Sequence, residues 1–371
     1  MKQDFPQGFS RRFFLAGCAT TALAVPVLSV RAAEPAGPTY FPDIDSLAAS
    51  LEKAGVPALD RRNLLPLAKP TIIMRSKAMP DNDLPVGCGK FGGAPDLPAE
   101  MPWPTRGPSE AGKQEVEIIR TLPGMPGNNS VRIKEELAGR EAPLAFVMQI
   151  DLAACAAAGA MDPDIPTSGL LSIFFDFVFR PWFAESRENS DFRLIYTAVT
   201  DNLVRRPIPD LGLGLWGYTL EEMVAIGYGK EDMHAFTAAR LYPDFTYSLP
   251  DAKAQPVVVR YGLDAPHRAW LEKLNFSSGD GGQVGGWPLL IQQDPANDLG
   301  AADLGQTLSG YDYIGDMRKI SPAASEWMTL VTFAGYDSDS VDFDGTYYVM
   351  MRRSDLKARD FSKACIVYQT S

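Results

Sequence analysis

The stretch Lys90-Phe91-Gly92-Gly93-Ala94-Pro95-Asp96-Leu97-Pro98, closed by Trp103-Pro104, constrains this chain more than any other. Glycines at 87, 89, 92 and 93 and prolines at 95, 98, 102 and 104 leave no run in which a helix can form. Proline lacks the amide that a helix needs, and glycine is the residue most costly to order. The stretch must therefore be a turn that delivers extended chain. A shorter copy, Gly285-Gly286-Trp287-Pro288, returns in the last third.

The segments beyond each turn also repeat. The apolar run Leu144 to Ile150 is answered by Met328 to Phe333, and Gly169 to Phe175 by Gly345 to Met351, in the same order. These runs have the length of buried strands and are bounded by Pro, Gly and Asp. A mainly β fold with an internal duplication is expected, its pseudo-repeats spanning about 70–200 and 255–371 of one large domain, 43–371. With 32 glycines and 30 prolines in 371 residues, turns are frequent and helices short and few. Helices are expected after Asp43 or Asp45, over Val131 to Ala138, after the Thr219 cap and from Asp264 to Leu274. Strands are expected at Thr71 to Met74, Phe192 to Thr200 and Gln255 to Tyr261. Residues 105–141, polar and rich in Gly and Pro, read as an insertion or loop.

At the N-terminus, Ser10-Arg11-Arg12-Phe13-Phe14-Leu15 matches the twin-arginine export core S-R-R-x-F-L. An apolar stretch to Val30 and a small-residue site at Val30-Arg31-Ala32 complete a signal peptide over 1–32, with a linker at 33–42. An uncleaved anchor and a lipid-attachment box at Leu15-Ala16-Gly17-Cys18 are the rival readings; Pro26 and the threonines weaken the first, the adjacent arginines the second. The expected localisation is periplasmic or otherwise exported, with the twin-arginine translocase as partner in transit. That pathway carries folded cargo, so no disulfide among Cys88, Cys155 and Cys365 is required for folding.

The chain carries a net charge of -11, and the leader's Lys2, Arg11, Arg12 and Arg31 against Asp4 make the body more acidic still. Such a surface repels a phosphate backbone, which argues against nucleic acid. Three scattered cysteines and two histidines, His234 and His267, give no zinc set.

The Lys90 to Pro98 stretch with Trp103-Pro104, then Pro143 to Leu152 and Gly169 to Asp176, resembles the YwqG-like family of bacterial proteins. Gly286-Trp287-Pro288 with Gln292, and Trp327 to Phe333 with Asp344-Gly345, extend the resemblance over roughly 60–370. It implies a roll-like antiparallel β fold with few helices, and no assigned chemistry. The 105–141 segment, the lack of a histidine ahead of the second turn, and the export signal all depart from the family pattern.

Candidate ligand-binding residues are Lys90, Gly92, Gly93, Trp103, Gln149 and Gln292. Lysine beside a glycine pair suits an anion; the competing reading has Lys90 snorkelling over Trp103. A buried glutamine such as Gln149 or Gln292 braces backbone or faces a ligand. Asp337, Asp339, Asp342 and Asp344 before Gly345 form a candidate calcium loop, although Val341 breaks the alternation and a solvated acidic hairpin explains it as well. Cys88 lacks a base placed by any motif, and the serines lack a nucleophile elbow. Trp182, Trp216, Trp287 and Trp327 suit a sugar or peptide groove, although aromatics in β sheets are usually core or cross-strand pairs. The expectation is a binding or protein-interaction module of unknown ligand. An envelope hydrolase using acidic residues, with or without calcium, and an immunity or partner-blocking protein are the alternatives.

Overall fold

A computed structural model describes residues 40–122, 129–179, 191–215, 217–225, 235–250, 270, 282–305, 317–334 and 345–370. The export segment 1–32, most of the 33–42 linker, Asp337, Asp339, Asp342, Asp344, both histidines, Trp182 and Trp216 lie outside the described residues. So do the strand expected at 255–261 and, apart from Trp270, the helix expected after Asp264.

The first part of the chain forms β1 (Lys69–Ala78), β2 (Lys90–Phe91), β3 (Asp96–Pro98), β4 (Thr105–Arg106) and β5 (Ala142–Pro143). It continues with β6 (Ala145–Asp151), β7 (Leu170–Phe175), β8 (Phe192–Thr197) and β9 (Leu203–Arg205). The second part forms β10 (Ala239–Ser248), β11 (Gln283–Val284), β12 (Trp327–Ala334), β13 (Gly345–Arg352) and β14 (Cys365–Thr370). Ten of these make one antiparallel sheet in the order β14-β13-β12-β11-β1-β10-β2-β6-β7-β8. It curls into a near-barrel that stops short of closing: β8 at one end meets the turn ahead of β14, where the rings of Tyr196 and Phe361 lie 4.8 Å apart. The fold is mainly β, with nine short helices among the described residues.

The sheet is two copies of one pattern. By sequence the first copy is β1, β2, β6, β7 and β8 and the second β10 to β14, while in the sheet the neighbours are β10-β2-β6-β7-β8 and β1-β11-β12-β13-β14. Each copy's long first strand thus pairs with the other copy's second strand, and β1 and β10 pair along their full lengths at the centre. Registers agree residue by residue. Lys90 opposes Gln149 as Gln283 opposes Thr332, and one bulge falls between Phe146 and Met148, the other between Thr329 and Val331. Gly92 N donates to Val147 O at 2.8 Å, and Gly285 N to Leu330 O at 3.0 Å. The second set of strands opens at Ala239, ahead of residue 255, because β10 precedes the second turn as β1 precedes the first.

One core fills the inside of the curled sheet. Met148, Ile150, Leu171, Ile173 and Phe175 from one copy meet Val331, Phe333, Tyr347, Val349 and Tyr368 from the other, with Phe333 and Tyr347 stacked at 5.0 Å. The outer faces are covered as well. Phe146 and Phe174 lie beneath Leu97, Leu144 and Trp103, and Tyr348 and Met350 beneath the helix Pro295–Asp303. Strands buried on both faces read as continuous apolar runs instead of alternating ones, which is why 169–176 and 144–150 look as they do.

Residues 105–141 are a correction. The helix expected over Val131 to Ala138 is present as Asn129–Gly139, but Glu110–Arg120 is a second helix packed on it through Val116, Ile119, Val131 and Leu137, so the described part of the segment has its own small core and is not a loop. The expected helix after Asp43 is present as Ile44–Lys53, closed by a reciprocal Asp43–Ser46 cap. Thr219 and Glu222 cap the helix Leu220–Ala225 in the same way.

Candidate functional site

The first turn closes around a buried polar cluster. Lys90, on β2, is 0% exposed. Its Nζ donates to Asp81 Oδ1 at 2.8 Å and to the Ala94 carbonyl, while Asp81 Oδ2 accepts from Ala94 N at 2.9 Å. Asp96, equally buried, accepts from Gly87 N at 2.9 Å, Gln149 Nε2 at 2.7 Å and Arg205 Nε at 2.9 Å. Gln149 also donates to Cys88 O at 2.8 Å and accepts from Asp96 N at 2.9 Å. Arg205 completes the cluster by donating to the carbonyls of Asp81 and Leu84.

Two cations and two carboxylates thus neutralise one another inside protein. Burial lowers the Lys90 pKa although the Asp81 hydrogen bond resists it. Burial opposes ionisation of Asp96, but the Arg205 and Gly87 hydrogen bonds outweigh it and carry its pKa below the ordinary aspartate range. Burial raises the Cys88 pKa, so this thiol holds its proton and is a poor nucleophile.

The glycine pair has positive φ, 62° at Gly92 and 66° at Gly93. A Cβ on Gly92 would sit 2.4 Å from Phe236 O, and one on Gly93 2.5 Å from Asp81 Oδ1. Backbone packed against Gly92, and the Asp81 carboxylate against Gly93, demand glycine here, and the pair faces protein. The snorkelling reading of Lys90 is corrected: Trp103 instead donates its indole N–H to Leu144 O at 2.9 Å and meets Phe174 edge-on at 5.7 Å. The structure therefore gathers Lys90, Gly92, Gly93 and Gln149, leaves Trp103 on the outer face, and sets Gln292 against β14, its N–H donating to Gln369 Oε1 at 3.2 Å. Asp81 and Arg205 were not among the sequence candidates; nothing local distinguishes them, since each reaches the cluster from a separate turn.

The second turn holds the neutral counterpart. Gln283 stands where Lys90 does and donates to Trp287 O at 2.9 Å; Ser248 stands where Asp81 does and accepts from Trp287 N at 2.7 Å. Gly285 and Gly286 repeat the positive φ at 64° and 73°. Lys69 lies over the Trp287 ring at 3.5 Å.

Two cavities lie elsewhere, and no residue of either turn lines them. One, of about 30 Å³ beside Pro143, Asp176 and Leu213, holds a water or two at most. The other is a cleft of about 520 Å³ at the seam, between β8 and the turn Arg359 to Ala364. Arg193, Leu194, Tyr196, Arg359 and Phe361 are among its walls. Arg359 is the one non-glycine residue with positive φ, 60°, among the described residues. It occupies the position after the helix Arg353–Lys357 where glycine is the usual choice: Asp360 N donates to Asp355 O at 2.9 Å and Arg359 N to Leu356 O at 3.0 Å. Its exposed guanidinium donates to Asp164 O and lines the cleft.

Against known families, one finding stands out: the profile described as a domain of unknown function (DUF1963) matches residues 89–370. The chain belongs to this family. Its matched range begins one residue before Lys90 and takes in every strand except β1, although β1 sits at the centre of the sheet. No curated protein matches the chain. Among the described residues there is no group of three or more His, Cys, Asp or Glu able to hold a metal ion, and no helix long and apolar enough to cross a membrane.

Proposed function

We propose that this chain is an exported, YwqG-like binding module that takes its ligand at the seam of the ten-stranded sheet. One observation carries the reading. The sheet stops short of closing and leaves a cleft of about 520 Å³ with a strained, exposed arginine on its wall. That volume lies within the range of ordinary ligand sites. The cluster at the first turn, by contrast, spends its donors and acceptors on itself. Strain held at one residue costs on the order of 1–3 kcal/mol, persists where the surrounding structure over-determines it, and clusters at ligand sites. Export rests on the twin-arginine core at Ser10 to Leu15.

Hydrogen exchange read by mass spectrometry tests the site. The purified full chain, mixed with the low-molecular-mass fraction of an envelope extract, should gain protection over 192–197 and 359–364. Protection confined to 88–98 would overturn the reading in favour of the turn. Export is tested by Arg11→Lys with Arg12→Lys, which should hold the protein in the cytoplasm; an unchanged distribution would remove that half of the proposal.

A further inference from the structure

The free edge of β8 says what kind of ligand fits. Asp176 N donates to Asp191 O at 2.9 Å, which makes these two a hydrogen-bonded pair at the head of the β7–β8 ladder. Such pairs alternate along antiparallel strands. In the observed register Phe174 with Arg193 and Ser172 with Ile195 are then the bonded pairs, so the N–H and C=O of Leu194 and Tyr196 point away from β7. Phe192 O points the same way, and there the Arg193 Nη1 caps it at 2.7 Å. The backbone groups of Leu194 and Tyr196 have no partner among the described residues. Uncovered strand edges are templates for another strand, and proteins that do not use them normally block them.

Resting on the cleft reading above, we propose that the seam binds one extended peptide strand by addition to the edge of β8. Its apolar residues turn inward onto Leu194, Tyr196 and Phe361, and alternate residues carry carboxylates toward Arg359. The inward side chains of β8 belong to the main core, so an added strand continues that apolar face. Beyond its bond to Asp164 O, the Arg359 guanidinium has no partner among the described residues. The Arg359 guanidinium on the cleft wall meets a carbonyl and no carboxylate among the described residues, a local cation that favours an acidic side chain on the occupant. A second copy docked through the same edge would set Arg193 and Arg359 against their own images. Because the sheet has ten strands, an even number, a peptide antiparallel to β8 runs parallel to β14, so its antiparallel ladder is to β8.

The test uses the full chain and the blocked peptide Ac-Thr-Val-Glu-Val-Glu-Val-Thr-NH2. At saturating peptide, amide exchange at Leu194 and Tyr196 should slow at least tenfold by NMR. N-methylation of alternate residues on the β8-facing edge should weaken binding at least tenfold, because it removes ladder donors without touching the protein. Replacing both glutamates by glutamine should weaken it roughly two- to fivefold, the scale of an exposed ion pair. Equal binding of the N-methylated peptide, or no peptide binding while extract still protects 192–197, overturns strand addition and leaves the cleft reading standing. Failure of both peptide and extract removes both. Leu194 and Tyr196 amides already protected before peptide is added would also overturn the proposal: in a dimer the edge joins two copies, and in a monomer the chain's own segment covers it.

Discussion

Converting the first turn to the chemistry of the second is the sharpest test of the buried cluster. Asp81→Ser leaves the Lys90 ammonium fully buried with the Ala94 carbonyl as its remaining acceptor, a loss of about 3–5 kcal/mol for a stranded buried charge. Lys90→Gln is milder, about 1–2 kcal/mol, because Asp81 keeps 23% side-chain exposure, the Ala94 N–H and Arg205 at 3.6 Å. The double variant should cost only about 1–2 kcal/mol, since Gln283 and Ser248 satisfy the same turn without charge. The coupling is then about 3–5 kcal/mol in favour of the pair. Urea unfolding at pH 7 measures it; at an m-value of about 3 kcal/mol/M, a loss of about 4 kcal/mol moves the midpoint by about 1.3 M. In the Asp81→Ser variant stability should climb as pH rises, because the folded state then sheds the lysine proton before the unfolded state does. A double variant costing as much as the two singles together would refute both the pairing and the equivalence of the turns.

Burial, then the charge of Arg353, lowers the Lys69 pKa to about 8, with Asp294 and Asp162 opposing. At pH 8 about half its amines are neutral against about 0.3% for an ordinary lysine, so acetylation read by peptide mass mapping should mark Lys69 first, with a midpoint near pH 8. Asp96 titrates below its ordinary value, so its contribution to stability is complete above 3.8 and is lost as pH falls through its lower folded pKa; Asp96→Asn should flatten that acid limb of the unfolding curve. Arg359→Gly removes the left-handed penalty of about 1 kcal/mol and should raise or hold the melting temperature while weakening ligand binding; a clear drop in stability would mean the Asp164 contact outweighs the strain.

The parts of the fold that were legible in the sequence are those where local chemistry and tertiary packing agree. Gly92-Gly93 and Gly285-Gly286 demand positive φ, and the runs at 144–150 and 169–176 are buried on both faces, so each announces itself. The strand β10 was missed because Pro243 and Asp244 interrupt it, and sequence rules exclude proline from a central strand. Here Pro243 lies opposite Met74, and Arg75 pairs with Asp244 across the ladder. The helix Glu110–Arg120 hides among Gly and Pro, its stripe of Val116 and Ile119 being short. As for the sites, Gln149 bracing a turn was readable from an amide in an apolar run. Arg205 and Leu194 were not, since one acts through a distant turn and the other through its backbone.

The duplication also separates what the fold needs from what this chain adds. A turn built twice, once with Lys90 and Asp81 and once with Gln283 and Ser248, does not need its charges to be a turn. The same logic accounts for the seam. A sheet with a twofold pattern centred on β1 and β10 brings equivalent edges, β8 and β14, to its two ends, and with ten strands these could in principle pair antiparallel and close a barrel. On the core side of the gap lies the segment joining β13 to β14: the helix Arg353–Lys357, the left-handed Arg359 and Phe361, whose buried ring meets Tyr196. That segment is pinned by Arg353 on Asp162 and Asp164 and by Arg359 on the Asp164 carbonyl, so it is a floor to the gap held from the first half of the chain. The gap beside β8 is thus floored by specific contacts from the first half of the chain, and the left-handed backbone at Arg359 is the turn that lets the segment leave its helix and reach them.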